Sequence, residues 1–97
     1  MKLQNKTVLL TGASGGIGRT VANTLARQGA HLLLVGRRTD SLNTLLEELP
    51  GQHRAITADI ASDEGRQLIA THCQESGGID LLINLAGTLD FSFFEYQ

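Results

Sequence analysis

The sequence predicts an α/β fold, the N-terminal half of a doubly wound parallel sheet with its strands in the order 3-2-1-4. Three observations carry this prediction. Short apolar runs alternate with stretches whose apolar residues recur every three or four positions, giving β-α-β-α-β-α-β over 97 residues. One run, "HLLLVG", is continuously apolar, as a strand covered on both faces must be. Strands that alternate with helices pair in parallel through right-handed crossovers.

The elements follow in order. Thr7–Thr11 is a strand rich in branched residues. Ile17, Val21, Ala22, Leu25 and Ala26 then recur at helical spacing until Gly29 ends the run. His31–Gly36 is the second strand. Leu42, Leu45, Leu46 and Leu49 mark a second helix, with Thr39 or Asp40 as its expected cap and Pro50-Gly51 as its stop. "RAITA" is the third strand. Ser62 is placed to cap a third helix whose first turn carries Asp63 and Glu64, favourable for the helix dipole. Its inner face is expected to carry Leu68, Ile69, His72 and Cys73, and Gly77-Gly78 end it. Ile79–Asn84 is the fourth strand. These crossovers put the first two helices on one sheet face and the third on the other.

Composition narrows the function. A chain of 97 residues is one small domain at most. A net charge of -2 offers no electrostatic reason to bind nucleic acid or an anionic membrane. Cys73 is the single cysteine, so no internal disulfide and no thiolate metal site is expected. The only apolar run near the start is Val8–Leu10, too short for a signal peptide, and a cytoplasmic location is expected. The sequence holds no repeats, low-complexity segments or linkers.

The most informative stretch is "LLTGASGGIGRT", Leu9 to Thr20. Glycines crowd the corner where a strand turns into a helix. The first amides of that helix have no internal partners, and its dipole favours an anion there. A phosphate reaches those amides only where side chains leave room. Gly12 suits the tight turn, Gly16 leaves space for a pyrophosphate, and Gly18 lets helix and strand pack closely. Ser14 can add a hydroxyl donor. The context of strand before, helix after and second strand on schedule is that of a Rossmann-type dinucleotide site. A P-loop is excluded, since it needs glycine at Ala13 and lysine at Arg19.

The end of the second strand meets the adenosine ribose in such folds. A carboxylate there favours NAD, and arginine accommodates the 2′-phosphate of NADP. The sequence reads "VGRR", with Arg37 and Arg38 and no acid before Asp40. NADP is therefore the expected cofactor, with NAD disfavoured.

These residues together form a family signature. "TGASGGIG" (Thr11–Gly18) resembles the TGxxxGxG motif of the short-chain dehydrogenase/reductase family. "ADI" (Ala58–Ile60) is similar to the family's adenine-pocket segment, and "NLAG" (Asn84–Gly87) to its NNAG motif. The resemblance implies that Gly12, Ser14, Gly15, Ile17 and Gly18 line the pyrophosphate and ribose. It places Arg37 and Arg38 beside the adenosine ribose. Asp59 would accept a hydrogen bond from the adenine amino group, with Ile60 packed beside the ring. Asn84, Ala86 and Gly87 would pass under the nicotinamide-side ribose. Two departures stand out. Leu85 replaces the second asparagine of NNAG, and Gly12, Gly15 and Gly18 also fit the TGxxGxxG spacing of the extended branch. Gly16 and the "NLAG" segment favour the classical branch.

The resemblance further implies hydride transfer between a nicotinamide and a small carbonyl or alcohol substrate, in a homo-oligomeric parent protein. The family's tyrosine, lysine, serine and asparagine all lie beyond the fourth strand, and no catalytic residue is assigned here. A tyrosine acid needs a nearby cation to bring its pKa down from about 10, whereas Tyr96 has no lysine four positions on. Such domains run to about 250 residues, so the chain is expected to be the N-terminal part of one.

Phe91, Phe93, Phe94 and Tyr96, all the aromatic residues, crowd the last seven positions. With the fourth strand expected to leave one edge unpaired and half of the second sheet face bare, poor solubility or partial folding is expected of the isolated chain. His72 and Cys73 are read as packing residues rather than metal ligands. Two other functions fit the same residues: an NADP-binding module without turnover, and an epimerase or lyase of the extended branch.

Overall fold

A computed structural model describes residues 2–85 and the backbone of 92–95. Its elements are β1 (Thr7–Thr11), α1 (Gly16–Arg27), β2 (His31–Gly36), α2 (Thr39–Glu48), β3 (Arg54–Thr57), α3 (Asp63–Glu75), β4 (Leu81–Asn84) and β5 (Ser92–Glu95). They form one sheet in the order β3-β2-β1-β4-β5. The first four strands are parallel, so the expected order 3-2-1-4 is the observed one.

Alternation along the strands sorts the apolar side chains into two cores. Val8, Leu10, Leu32 and Leu34 face one side, where they meet Ala22, Leu25 and Ala26 of α1 and Leu42 and Leu45 of α2. Leu9, Leu33, Val35 and Ile56 face the other, under Ile69 of α3. The first two helices thus share a face and the third takes the opposite one, as the crossover rule requires. The second face is less bare than expected: Leu9 is only 7% exposed, and Leu82 of β4 is half-buried.

The helix ends follow local rules in part. Ser62 caps α3 as predicted, its hydroxyl oxygen accepting from the Gly65 amide at 2.9 Å. Gly29, Gly77 and Gly78, which follow α1 and α3, adopt positive φ. The N-cap of α2, however, is Arg38, with no side-chain cap bond; Thr39 and Asp40 lie within the helix. The Thr39 hydroxyl is instead 2.9 Å from that of Thr57 on β3, a tertiary contact that draws it into the first turn.

Two apolar residues leave the stripes assigned to them. Ile17 is 65% exposed at the start of α1, and Leu68 is 42% exposed on α3. The inner line of α3 runs through Gly65 and Ile69, with Cys73 packed against the second core, and Leu68 falls off that line by a quarter turn. His72, expected on the inner face, sits at its border, where Arg54 approaches its ring at 3.4 Å.

The largest correction concerns the sheet edge. β4 is not left unpaired: β5 runs antiparallel along it, Leu81 opposite Glu95 and Asn84 opposite Ser92. A strand edge exposes a row of unpaired amides and carbonyls, and Ser92–Glu95, with two phenylalanines, has the composition to pair with it. Phe91 and Tyr96 lie outside the described residues.

Candidate functional site

At the carboxyl ends of β1, β2 and β3 the chain opens a cleft of about 490 Å³. Three backbone bonds set its shape, each tying a departing loop to the neighbouring strand. The Ala13 amide donates to the Val35 carbonyl at 3.0 Å, the Ala58 amide to Gly36 at 2.9 Å, and the Leu85 amide to Thr11 at 3.1 Å. Beyond these points the loops diverge, and the cleft lies between them.

The glycine corner forms one wall, through Gly12, Ser14 and Gly15. Gly12 has φ 73°, a left-handed conformation that turns the chain sharply out of β1. Gly18 lies behind the wall, buried. A Cβ there would come within 2.4 Å of the Gly12 carbonyl oxygen and 2.7 Å of the Ala13 Cα. Its bareness lets α1 press against the turn, as the sequence predicts. Gly16 is different, because a Cβ there would meet nothing within 4 Å. Gly16 and Ile17 are exposed in the first turn of α1, where the leading amides lack helical partners.

The second wall is the end of β2. Val35, Gly36 and Arg37 line the cleft and Arg38 does not. Both arginines are exposed, and Arg38 opens α2 as its N-cap, its carbonyl accepting from the Leu42 amide at 3.1 Å. Gly36 allows a close contact: a Cβ there would sit 2.8 Å from the Ser14 hydroxyl oxygen and 3.2 Å from Leu42 Cδ2. It thereby holds the glycine corner against β2.

The third wall is the loop from β3 to α3, residues 58–61. Asp59 lines the cleft and also builds its own loop. Its Oδ1 accepts from the Ala61 amide at 2.9 Å, and its carbonyl accepts from the Ser62 amide at 3.1 Å. Asp59 thus both faces the cleft and closes the turn that leaves β3. Ile60 is half-buried and packs against the second core.

Of the NLAG segment, Leu85 reaches the cleft. Its side chain packs on the first core. Asn84 stands behind the cleft, where Thr11, 5% exposed, donates its hydroxyl to Asn84 Oδ1 at 2.5 Å. The pair fastens the ends of β1 and β4 across their shared register. Ala86 and Gly87 lie outside the described residues.

Sequence reasoning missed Val35, Gly36, Ala61 and Gly65 as site-forming positions. A signal was available for Gly65: glycine in the first turn of a helix is a poor helix former that needs a steric reason. Burial pushes the Cys73 thiol above its ordinary pKa, in keeping with a packing role. Among the described residues no cluster of His, Cys, Asp or Glu could hold a metal ion, and no helix is long and apolar enough to cross a membrane.

A parallel sheet in the order 3-2-1-4, with a glycine corner and cleft at its topological switch point, defines a Rossmann-type α/β domain. More narrowly, the chain belongs to the short chain dehydrogenase family, whose sequence profile matches residues 6–97. It is 40% identical over 91 residues to glucose 1-dehydrogenase from Gluconobacter oxydans (strain 621H), a match spanning 89% of this chain and 34% of that protein. Among solved structures it resembles L-sorbose reductase from Gluconobacter frateurii complexed with NADPH and L-sorbose. The TM-score is 0.80 at 35% identity, covering 91% of this chain and 36% of that one. A metagenomic short-chain oxidoreductase in complex with NADP superposes with TM-score 0.82 at 28% identity, covering 91% and 42%. The chain spans about a third of the length of the curated relative and somewhat more of these structures.

Proposed function

We propose that the chain is the cofactor-binding part of an NADP-preferring short-chain dehydrogenase/reductase that moves hydride between nicotinamide and a small carbonyl or alcohol substrate. The observation that carries this reading is the cleft. It joins an unobstructed glycine corner, an arginine at the end of β2 and a carboxylate at the end of β3 around one space. The residues present fit a dinucleotide phosphate: the first turn of α1, whose leading amides lack helical partners, is exposed at Gly16, where a Cβ would meet nothing within 4 Å.

Each wall then has a role. The amides of α1's first turn and the Ser14 hydroxyl receive the diphosphate, an anion drawn to the positive end of the helix. Ile17, exposed beside them, covers a ribose. Arg37 receives the 2′-phosphate, and Arg38 flanks the ribose from outside the cleft. A charged hydrogen bond of this kind is worth about 1.5–3 kcal/mol, enough for ten-fold discrimination. Asp59 accepts from the adenine amino group and Ile60 packs beside the ring. Asn84, with Ala86 and Gly87, supports the nicotinamide side. When bound, the dinucleotide supplies the hydride chemistry; this part of the protein binds and orients it. NADPH and NADP bound to two of the structural neighbours support the same cofactor here.

The test is a calorimetric titration with NADPH and with NADH. Binding of NADPH at least about ten-fold tighter than NADH is expected. Absence of binding to both would overturn the assignment.

A further inference from the structure

The first turn of α3 stands directly against the cleft wall at Asp59, and no motif in the sequence accounts for it. Gly65 is buried there. A Cβ on it would lie 2.0 Å from the Asp59 carbonyl oxygen and 2.8 Å from the Asp59 carbonyl carbon. Both are backbone atoms, so a side chain at 65 cannot be accommodated by a rotamer change; the loop itself must move.

That loop is held from the same turn by two further residues. The Ser62 hydroxyl donates to the Asp59 carbonyl at 3.0 Å while accepting from the Gly65 amide at 2.9 Å. One residue on, Arg66 Nη1 donates to the Ile60 carbonyl at 2.8 Å, and its other nitrogen pairs with Asp63. Asp59 and Ile60 thus have their carbonyls fixed by α3, while the Asp59 carboxylate is turned by the Ala61 amide. Such a bonded loop has little freedom to adjust, because each carbonyl would lose a partner on moving.

We infer that Gly65 and Arg66 are positioning residues for base recognition, holding Asp59 and Ile60 at the distance and angle from which they select adenine in the cleft. Gly65 sets how near α3 stands to the Asp59 backbone, and Arg66 fixes the carbonyl that follows it. Neither touches the ligand. The inference rests on the cofactor reading above, in which Asp59 accepts from the adenine amino group.

The experiment compares NADPH with its hypoxanthine analogue, which carries an oxygen where adenine carries the amino group. Wild type is expected to prefer the adenine form by about ten-fold, the discrimination one charged hydrogen bond provides. In Gly65→Ala that preference should fall to near unity, with a smaller loss for the hypoxanthine form. Arg66→Ala should reduce the preference in the same direction, and Arg66→Lys, which keeps one donor, should restore part of it. The Arg66 side chain is 55% exposed, so these variants are expected to fold even if Gly65→Ala does not. General damage to the fold would weaken both ligands equally and leave the ratio unchanged. A ratio that survives in the Arg66 variants, and in Gly65→Ala if it folds, overturns the inference while the cofactor reading stands. Equal wild-type affinity for both ligands overturns it too, and no affinity for either overturns both.

Discussion

A side chain on Gly18 would meet the carbonyl oxygen of Gly12 at 2.4 Å, whereas one on Gly16 would meet nothing within 4 Å. Gly18 is therefore required by the fold, whereas the fold makes no steric demand at Gly16, which under the proposed function leaves room for the ligand. Gly18→Ala should cost about 1–3 kcal/mol or more, the usual penalty of overpacking against atoms that cannot yield. Gly16→Ala should leave stability unchanged or raise it by up to about 1 kcal/mol, since alanine is the better helix former, while weakening NADPH. Denaturant melts and calorimetry on both variants check the contrast; equal destabilisation would refute it.

The two arginines should behave differently, because only Arg37 lines the cleft. Arg37→Ala is expected to weaken NADPH about ten-fold or more and to leave NADH nearly unchanged. Arg38→Ala should have a small effect on either. Competition titrations with both dinucleotides measure this, and the reverse ranking would reassign the phosphate contact.

Thr11 and Asn84 fasten the central strands where they enter the site. Thr11→Val keeps the shape but removes the hydroxyl donor. Loss of about 1–3 kcal/mol is expected, because the threonine is buried and its partner oxygen loses a bond. Thr11→Ser keeps the donor and should recover most of that loss in the same unfolding assay.

His53 performs a backbone role at the opposite end of β2. Its Nδ1 accepts from the Leu32 amide at 3.0 Å and its Nε2 donates to the Pro50 carbonyl at 2.6 Å. An amide can only donate and a carbonyl only accept, so Nδ1 is the acceptor of the ring and Nε2 its donor. His53→Ala should cost about 1–3 kcal/mol by orphaning the Leu32 amide, with NADPH affinity unaffected. A change in affinity at constant stability would contradict a purely structural role.

The Cys73 thiol is held above its ordinary pKa by burial, and the thiolate is the reactive form. At neutral pH it should alkylate more slowly than free cysteine, with the rate still climbing at pH values where free cysteine has levelled off. The sign for stability is the same. The folded state keeps its proton longer than the unfolded one, so this contribution is complete below the unfolded pKa and fades as pH rises through the folded value. Iodoacetamide rates across pH 7–10 test it; a rate above that of free cysteine would overturn the reading.

Much of the fold is legible in the residues alone. β1 and β2 have the bounds the apolar runs predict, and Ser62 caps α3 as its place before Asp63-Glu64 suggests. The glycine corner is equally readable, since a positive φ at Gly12 and a bare Gly18 are demands that neighbouring backbone makes on a short stretch of chain. Periodicity, capping and turn chemistry act over a few residues, and a sequence displays them directly.

What the sequence left open was every choice between near-equivalent neighbours. The residues put Arg37 and Arg38 together at the ribose, Leu68 and Ile69 together on the inner face of α3, and the cap of α2 at Thr39 or Asp40 where Arg38 takes it. Such neighbours differ by about 100° of helix or one flip of strand direction, and the packing of a distant element decides which side faces in. The pairing of β5 along β4 and the approach of Gly65 to Asp59 are of the same kind. They join separate elements, so the steric and hydrogen-bonding demands that select them come into being only when the chain has folded.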